Sequence, residues 1–189
     1  MKIIIYSGKA QHGKSTAAEF TKKCLEEQGK KVMIFNYADY LKFILTKYYG
    51  WDRQKDEKGR TLLQKVGTGY REKDPDFWVK HAKNLFDMVQ DDFDYVVIGD
   101  ARFKNEIEYV RKYFTTVAVR IKRPRFDNGL TKEQQKHVSE VDLDKFNFDE
   151  VIHNRSDIQK YEQLIETFVK NRLPVLERVA ETRRTNVKE

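Results

Sequence analysis

Short apolar runs alternate with amphipathic stretches along most of the chain. Residues 2–7 read KIIIYS, a continuous apolar run that is typical of a strand buried on both faces of a parallel sheet. Further strands are predicted at 32–35, 95–98, 116–121 and 151–152. Because segments with helical spacing separate these strands, the pattern predicts a three-layer α/β fold with a five-stranded parallel sheet.

The helices are predicted where apolar residues recur at three- and four-residue spacing. They are expected at 14–28, 38–48, around 62–66, 78–89, 107–114 and from 156 to the neighbourhood of Pro174. Ser156 and Gln159 have the spacing of a capping box at the start of the last one. The charged stretch from Glu177 to Glu189 is expected to be frayed. We therefore expect one domain over 1–174 and a charged tail over 175–189.

Composition changes this picture little. The 189 residues are 39% apolar and 35% charged, with a formal net charge of +7 and both signs interspersed. The excess positive charge fits a solvated surface, and it equally fits a cleft that receives a polyanionic nucleotide. Cys24 is the only cysteine, so an internal disulfide and a cysteine-rich zinc site are excluded. With no long apolar run and no signal peptide, a reduced cytoplasmic location is expected.

One segment carries a specific chemical signature. It reads Gly8-Lys9-Ala10-Gln11-His12-Gly13-Lys14-Ser15, followed by Thr16, and fits G-x-x-x-x-G-K-[ST] between a predicted strand and a predicted helix. Gly8 and Gly13 permit backbone angles that turn successive N–H groups toward phosphates, and the helix start adds its unpaired amides. We predict that this loop and Thr16 bind ATP.

Each polar group of the loop has an expected partner. Lys14 can reach the β- and γ-phosphates, Ser15 can bind Mg²⁺, and Thr16 can contact the α-phosphate. The sequence has no Asn-Lys-x-Asp run of the kind that guanine-specific switches use, so ATP is favoured over GTP. The fold class is thus expected to be that of a P-loop kinase.

An acceptor is expected at the carboxyl ends of the strands, where open parallel sheets bind ligands. Asp100 follows the third predicted strand and can lie near Mg²⁺. Arg102 can direct its guanidinium at an acceptor phosphate, and Glu106 lies one helical turn further. An ordinary helix start with exposed charges is the alternative interpretation.

Residues of about 37–90 are predicted to form an acceptor lobe. Within it, Tyr37 and Trp78 could stack a base, although each could equally fill the core. Lys42 and Arg71 could hold the acceptor phosphate. These residues are candidates as a set, because aromatic and basic side chains are predicted to lie beside one another.

The connection of about 122–148, between the fourth and fifth predicted strands, is expected to form a lid over the reacting phosphates. It begins with a basic run, in which Arg123 is the candidate for neutralising charge in the transition state. A solvated basic loop is the alternative. The predicted catalytic residues are therefore Lys14, Asp100, Arg102 and Arg123, with Ser15 and Asp100 at the metal. A phosphate acceptor has its second pKa near about 6, so no general base is required.

Several segments together resemble the deoxynucleoside monophosphate kinases of bacteriophages. They are SGKAQHGKST at 7–16, YADYLK at 37–42, LLQKVGT at 62–68, DFW at 76–78, GDARFKNE at 99–106, HVSE at 137–140 and IHN at 152–154. The resemblance covers most of the chain up to about residue 170. It implies a nucleoside monophosphate kinase-like fold with Mg²⁺-ATP as donor and a dNMP as acceptor.

The same resemblance implies substrate contacts at Arg71, Trp78, Asp100, Arg102 and Glu106. The chain departs from the family pattern in its compact acceptor lobe, which leaves the base preference open. His137 and Glu140 match the family segment, but their roles stay open, since Ser139 followed by Asp142 can equally be a helix cap.

We therefore expect a phosphotransferase that converts a dNMP and ATP to a dNDP, in the cytoplasm, which is the host cytoplasm if the chain is phage-encoded. The expected partner is a small-molecule substrate rather than a stable nucleic acid or a membrane, and a homodimer is left open. One alternative is a kinase of a ribonucleotide or of another small phosphorylated metabolite. The other is a nucleic-acid-dependent P-loop ATPase, although Asp100 lacks the following acid that such enzymes commonly have.

Overall fold

The computed structural model describes residues 1–54, 56–155 and 157–185. Over these residues the sheet has five strands: β1 (Lys2–Ser7), β2 (Val32–Phe35), β3 (Tyr95–Ala101), β4 (Thr115–Lys122) and β5 (Glu150–His153). All neighbouring pairs are parallel, in the order β2-β3-β1-β4-β5. The predicted five-stranded parallel sheet is confirmed, with β1 at its centre.

Nine α-helices lie in the described part of the chain. They are α1 (Lys14–Glu26), α2 (Tyr37–Tyr48), α3 (Glu57–Lys73), α4 (Phe77–Val89), α5 (Lys104–Arg111), α6 (Lys132–Lys136), α7 (Val138–Val141), α8 (Ile158–Thr167) and α9 (Leu173–Thr185). None of them is long and apolar enough to cross a membrane. Helices α6 and α7 lie in the connection that is predicted to be a lid.

Helix α3 is longer than the short helix that the sequence predicts around 62–66. It begins after Asp56, whose carboxylate accepts a hydrogen bond from the Gly59 N–H at 2.7 Å. Its fully buried residues are Gly59 and Gly67, and its larger apolar side chains are only partly buried where they pack against the core. The apolar pattern was weak there because this helix lines a polar cleft instead.

The sheet buries side chains on both faces, because alternate residues of a strand point to opposite sides. Ile3 and Ile5 face one core, whereas Ile4 and Tyr6 face the other. Helices α2, α4 and α5 cover the first face, and α1, α8 and α9 cover the second. This is the predicted three-layer arrangement, and it explains the unbroken apolar run at residues 2–7.

The end of the chain differs from the prediction. We expected the last helix to end near Pro174, but the chain remains helical to Thr185. A π-helical turn, Phe168–Arg172, precedes the proline, and the Leu173 N–H donates to the Phe168 carbonyl. This wider turn accommodates a residue that has no N–H and whose ring would meet the carbonyl one turn earlier.

Helix α9 packs against the sheet rather than fraying. Leu173 and Ala180 are in the core, and Glu177 is only 6% exposed. The Glu177 carboxylate accepts a hydrogen bond from Lys2 Nζ at 2.8 Å. The expected frayed tail was therefore wrong for residues 177–185, since a mostly charged run hid the few residues that are buried. Residues 186–189 lie outside the described part.

The start of α8 is capped by Asp157, whose carboxylate accepts from the Lys160 N–H at 2.9 Å. The cap that the sequence predicts at Ser156 lies outside the described residues.

Candidate functional site

The loop between β1 and α1 has the backbone of a phosphate-binding loop. Gly13 has a φ of 96° and Gln11 a φ of 59°, both in the left-handed region. Gly8 is required for a different reason from the one that the sequence suggested. A Cβ at Gly8 would lie 2.5 Å from the Ile121 carbonyl oxygen, so this position needs space rather than an unusual φ.

Residues far along the chain hold the loop in place. The Asn154 side-chain amide donates to the His12 carbonyl at 3.1 Å, and the Tyr161 hydroxyl donates to the Gly13 carbonyl at 3.0 Å. The Arg123 N–H donates to His12 Nδ1 at 3.3 Å. Sequence reasoning missed Asn154 and Tyr161 as parts of the site. The segment IHN at 152–154 was the only signal that pointed to one of them.

Lys14 is 7% exposed, and its Nζ donates to the Lys9 carbonyl at 2.8 Å. Burial and, as the next largest cause, the charge of Arg102 lower the pKa of Lys14 to about 7. An anion beside Lys14 would reverse both effects, because it favours the charged ammonium.

The start of α1 is suited to an anion. No side chain of the described residues caps it, and its first turn contains no acidic residue. Its first N–H groups and the positive end of its dipole therefore point into the loop without a side-chain partner. Together with Lys14, this end of the helix can hold a polyphosphate.

A cleft of about 420 Å³ opens beside the loop, at the carboxyl end of the sheet. Among the residues that the structure describes, five cationic side chains and three carboxylates line it: Lys14, Lys42, Arg60, Arg71 and Arg102, with Asp100, Glu106 and Glu140. The cleft is therefore polar and carries an excess of positive charge, which favours phosphorylated ligands.

A bulge in β3 shapes the floor of this cleft. Ile5 of β1 pairs with Ile98, and Ser7 pairs with Ala101, so β3 has one additional residue at 99–100. Bulges change the direction in which a side chain points. The sequence placed Asp100 after the strand, but it lies within β3 and is turned toward the cleft by this irregularity.

Asp100 makes contacts that the sequence did not predict. Its Oδ1 accepts from the Tyr37 N–H and its Oδ2 from the Ala38 N–H, both at 2.9 Å. The carboxylate thereby caps the start of α2, although it belongs to β3, which is distant in sequence. Burial raises the pKa of Asp100, and the two N–H donors oppose this effect.

Glu106 and Arg71 form a buried ion pair on the side of the cleft where α3 and α5 meet. Arg71 Nη2 lies 2.5 Å from Glu106 Oε1, and the guanidinium stacks 3.8 Å over the Phe103 ring. Glu106, 2% exposed, also accepts from the backbone N–H groups of Arg102 and Phe103, at 2.7 and 3.1 Å. Burial raises the pKa of Glu106, and Arg71 is the largest opposing effect.

Arg102 points the other way, toward the phosphate-binding loop. Its Nη1 pairs with Glu140 Oε1, and Glu140 Oε2 accepts from the Ala10 N–H at 3.1 Å. Glu140 is in α7, so the predicted lid segment contacts the loop directly. His137, rather than Ser139, caps α7, since His137 Nδ1 accepts from the Ser139 N–H at 3.2 Å.

The two candidate stacking aromatics line the cleft but are mostly buried. Tyr37 is 5% exposed and donates its hydroxyl proton to the Glu106 carbonyl at 2.7 Å. Trp78 is 4% exposed and donates to the Gly67 carbonyl at 3.3 Å. Both positions therefore contribute to the core as well as to the cleft wall. Lys42 lines the cleft and pairs with Asp39 at 2.6 Å.

The structure does not bring Arg123 into the cleft. Its guanidinium lies 3.8 Å from the centre of the Phe126 ring, and it is not among the residues that line the cleft. Arg120, which lies in β4, is buried instead. It donates to Ser7 Oγ at 3.0 Å and pairs with Asp144 at 2.9 Å. Arg102 and Lys14, in contrast to Arg123, both line the cleft.

Oxygen donors for a metal lie between the loop and β3. A Cβ on Gly99 would lie 3.5 Å from Ser15 Cα, so the end of β3 is packed against the start of α1. Ser15 and Asp100 both line the cleft. The described residues contain no cluster of three or more metal-ligating side chains. This donor set fits Mg²⁺, which binds through one or two protein oxygens together with substrate phosphates and water.

Comparison with known proteins gives matches of two kinds. The family model described as deoxynucleotide monophosphate kinase matches residues 54–165, more than half of the chain. The uncharacterized protein ORF77 of Ictalurid herpesvirus 1 (strain Auburn) is 30% identical over 169 residues, which are 88% of this chain and 69% of the viral protein.

Solved structures give a weaker likeness. The APS kinase of Mycobacterium tuberculosis in complex with AMPPNP and APS aligns at 14% identity and a TM-score of 0.49, over 90% of this chain and 98% of that one. A mutant of the same kinase aligns at 14% identity and a TM-score of 0.47, over 90% and 97%.

Proposed function

Since the chain belongs to the deoxynucleotide monophosphate kinase family, we propose that it transfers the γ-phosphoryl group of ATP to the phosphate of a deoxynucleoside monophosphate. The observation that carries this proposal is the pairing of two phosphate-directed surfaces across one cleft. The uncapped start of α1 with Lys14 forms one surface, and Arg71 and Arg102 form the other. The family match begins at residue 54, so it includes Arg71 and Arg102 but not the phosphate-binding loop, whose assignment rests on its own sequence and backbone.

The donor triphosphate would lie on the loop formed by residues 8–13 and the first turn of α1. Backbone N–H groups and Lys14 would neutralise the β- and γ-phosphates. Lys14 has little contact with water, so its charge acts in a medium of low polarity where it stabilises phosphates strongly. Ser15 and Asp100 are the residues that would hold Mg²⁺, which would supply further neutralisation of the phosphate charge.

The acceptor monophosphate would lie in the cleft beside Arg71 and Arg102. A guanidinium offers two parallel N–H groups to a phosphate, which fixes its orientation as well as its charge. The ion pair with Glu106 restrains the Arg71 side chain, so this arginine would already be oriented before the ligand binds. The nucleoside would extend toward α3 and Trp78, which form the far wall of the cleft.

Transfer follows from this arrangement by positioning and charge neutralisation. An oxygen of the acceptor phosphate forms a bond to the γ-phosphorus while the bond from this phosphorus to the β–γ bridging oxygen breaks. ADP leaves with the electron pair of the broken bond. The acceptor oxygen is already ionised near neutral pH, and Lys14 and Arg102 would stabilise the charge of the transferring group. No side chain needs to remove a proton.

A substrate panel tests this proposal. The purified chain is incubated with Mg²⁺-ATP and each of the common dNMPs and NMPs, and the nucleoside diphosphate formed is separated by anion-exchange chromatography. We expect at least one dNMP to yield a dNDP, with a Lys14→Met variant as the inactive control. Release of ADP without any diphosphate of the added nucleotide would reject the assignment.

The same panel separates the alternatives. Preferential turnover of NMPs, or turnover only of another phosphorylated metabolite, would keep the P-loop kinase and change the acceptor. ATP hydrolysis that single-stranded DNA stimulates, with binding that weakens steeply as salt is raised, would instead favour a nucleic-acid-dependent ATPase.

A further inference from the structure

Glu140 connects three distant segments at the entrance to the phosphate-binding loop. One carboxylate oxygen accepts from the Ala10 N–H at 3.1 Å, and the other pairs with Arg102 Nη1. The side chain is buried although it is charged, with a relative exposure of 7%. A buried carboxylate is retained at low cost only where cations and N–H groups satisfy it, and here both partners belong to the site.

The local fold of the lid segment directs Glu140 inward. His137 caps α7 through the Ser139 N–H, and the Glu140 N–H donates to the His137 carbonyl at 2.8 Å. On the far side of the same short helix, Asp142 accepts from the Lys104 N–H at 2.7 Å. The helix is thus fixed at both ends, and the orientation of Glu140 is set before any ligand arrives.

Arg102 needs such a partner. It is a long side chain that lies close enough to Lys14 to lower the pKa of that residue, whereas Glu140 acts on Lys14 in the opposite direction. Two cations without a bound phosphate repel each other, and an unrestrained arginine would turn away into solvent. A carboxylate between the loop and the guanidinium offsets this repulsion and holds the arginine in one conformation.

We propose that Glu140 is a positioning residue that holds the Arg102 guanidinium beside the phosphate-binding loop for phosphoryl transfer. The proposal rests on the proposed function, in which Arg102 contacts the reacting phosphates. Glu140 itself touches neither substrate in this account and acts through Arg102. The predicted lid segment therefore contributes an anion to the site, where the sequence led us to expect the cation Arg123.

The primary test is the Glu140→Gln variant. Its amide oxygen can still accept from the Ala10 N–H, but it has no charge to hold Arg102. We expect kcat to fall by about 10- to 100-fold, because a small displacement of a catalytic group has effects of this size. The KM for ATP should change by less than about 3-fold, since the loop and Lys14 are unchanged. Glu133→Gln, which changes an exposed carboxylate of α6 in the same predicted lid segment, should retain the wild-type kcat.

A double-mutant cycle distinguishes positioning from general support of the fold. If Glu140 acts through Arg102, the variant that combines Glu140→Gln with Arg102→Met should lose no more than about 3-fold beyond Arg102→Met alone. Losses that multiply would overturn the proposal, as would a wild-type kcat in Glu140→Gln. Glu140→Asp, which keeps the charge, should recover part of the loss; if Glu140→Gln does not fold, the cycle is measured with Glu140→Asp.

The result remains interpretable if the proposed function fails. Should no monophosphate be phosphorylated by the wild type, the acceptor assignment is rejected, and the same cycle is measured on ATP hydrolysis by water. That reaction needs a cation beside the γ-phosphoryl group but no acceptor. Non-additive losses there would still support the positioning role, and additive losses would reject it.

Discussion

The two sides of the cleft are built in different ways. The donor side consists of one uninterrupted segment, residues 8–16, whose backbone provides most of the binding groups. The acceptor side is assembled from α2, α3, β3, α5 and α7, and its central contacts join Arg71 to Glu106 and Arg102 to Glu140. The donor side can therefore be altered one side chain at a time, whereas a change on the acceptor side removes the partner of another buried charge.

The largest effect on turnover is expected for Lys14→Met, on the donor side. Removing one preorganised cation from a site of low polarity should reduce kcat/KM by about 10²- to 10³-fold. The fold should not suffer, because the Lys14 ammonium donates to the Lys9 carbonyl and forms no ion pair with a carboxylate of the described residues, so its removal leaves no charge unpaired. Steady-state kinetics and urea unfolding would test this pair of statements. A large loss of stability would contradict the distinction between the two sides.

The largest effect on stability is expected for Glu106→Ala, on the acceptor side. It leaves Arg71 without its carboxylate and two backbone N–H groups without an acceptor. Breaking a buried ion pair of this kind costs about 3–5 kcal/mol of unfolding free energy. Urea denaturation would measure this cost.

A matched pair of variants then separates stability from function on this side. Replacing Arg71 and Glu106 together with methionine should recover much of the stability, because no charge is left unpaired, but not the activity. If the double variant were as unstable as Glu106→Ala, the loss of stability in Glu106→Ala would not come from leaving the Arg71 charge unpaired.

A smaller effect is expected for Asp100→Asn. An asparagine has one acceptor oxygen, so only one of the Tyr37 and Ala38 N–H groups can still be satisfied. The loss of half a cap should cost about 1 kcal/mol of unfolding free energy. If Asp100 holds Mg²⁺, the concentration of Mg²⁺ that gives half-maximal turnover should also rise. An unchanged requirement for Mg²⁺ in a stable variant would limit Asp100 to the capping role.

A separate effect is expected in the pH dependence of stability. The pKa of Lys14 is about 7 in the folded state, compared with the ordinary lysine value of 10.5 that applies to the unfolded chain. Between these values the unfolded chain binds more protons, so the Lys14 contribution makes the nucleotide-free protein more stable as pH rises from about 7 to 10.5. The difference in unfolding free energy between the wild type and Lys14→Met should follow this trend, and ATP should diminish it. A difference that falls with pH would contradict the burial of an unpaired lysine.

Particular residues show how far the sequence could lead. The apolar run at 2–7 and the motif at 8–15 fixed a strand, a loop and a helix start that the structure reproduces. The family resemblance is confirmed by the matching family model. Asp100, by contrast, was predicted just past a strand as an acid near Mg²⁺, because pairing register and bulges leave no trace in one strand's own residues. Arg123 was predicted in the site from its basic run at the start of the expected lid, but its guanidinium lies over the Phe126 ring instead.

By itself, the sequence determined the five parallel strands, several of the longer helices and the glycine-rich loop, because these depend on periodicity and on backbone geometry within a few consecutive residues. Only the tertiary structure decided which charges face one another in the cleft. The partners Arg71 and Glu106, and Arg102 and Glu140, are each more than thirty residues apart. Whether these side chains come into contact depends on how the helices pack around the end of β3. Local sequence patterns do not encode contacts between residues so far apart in the chain.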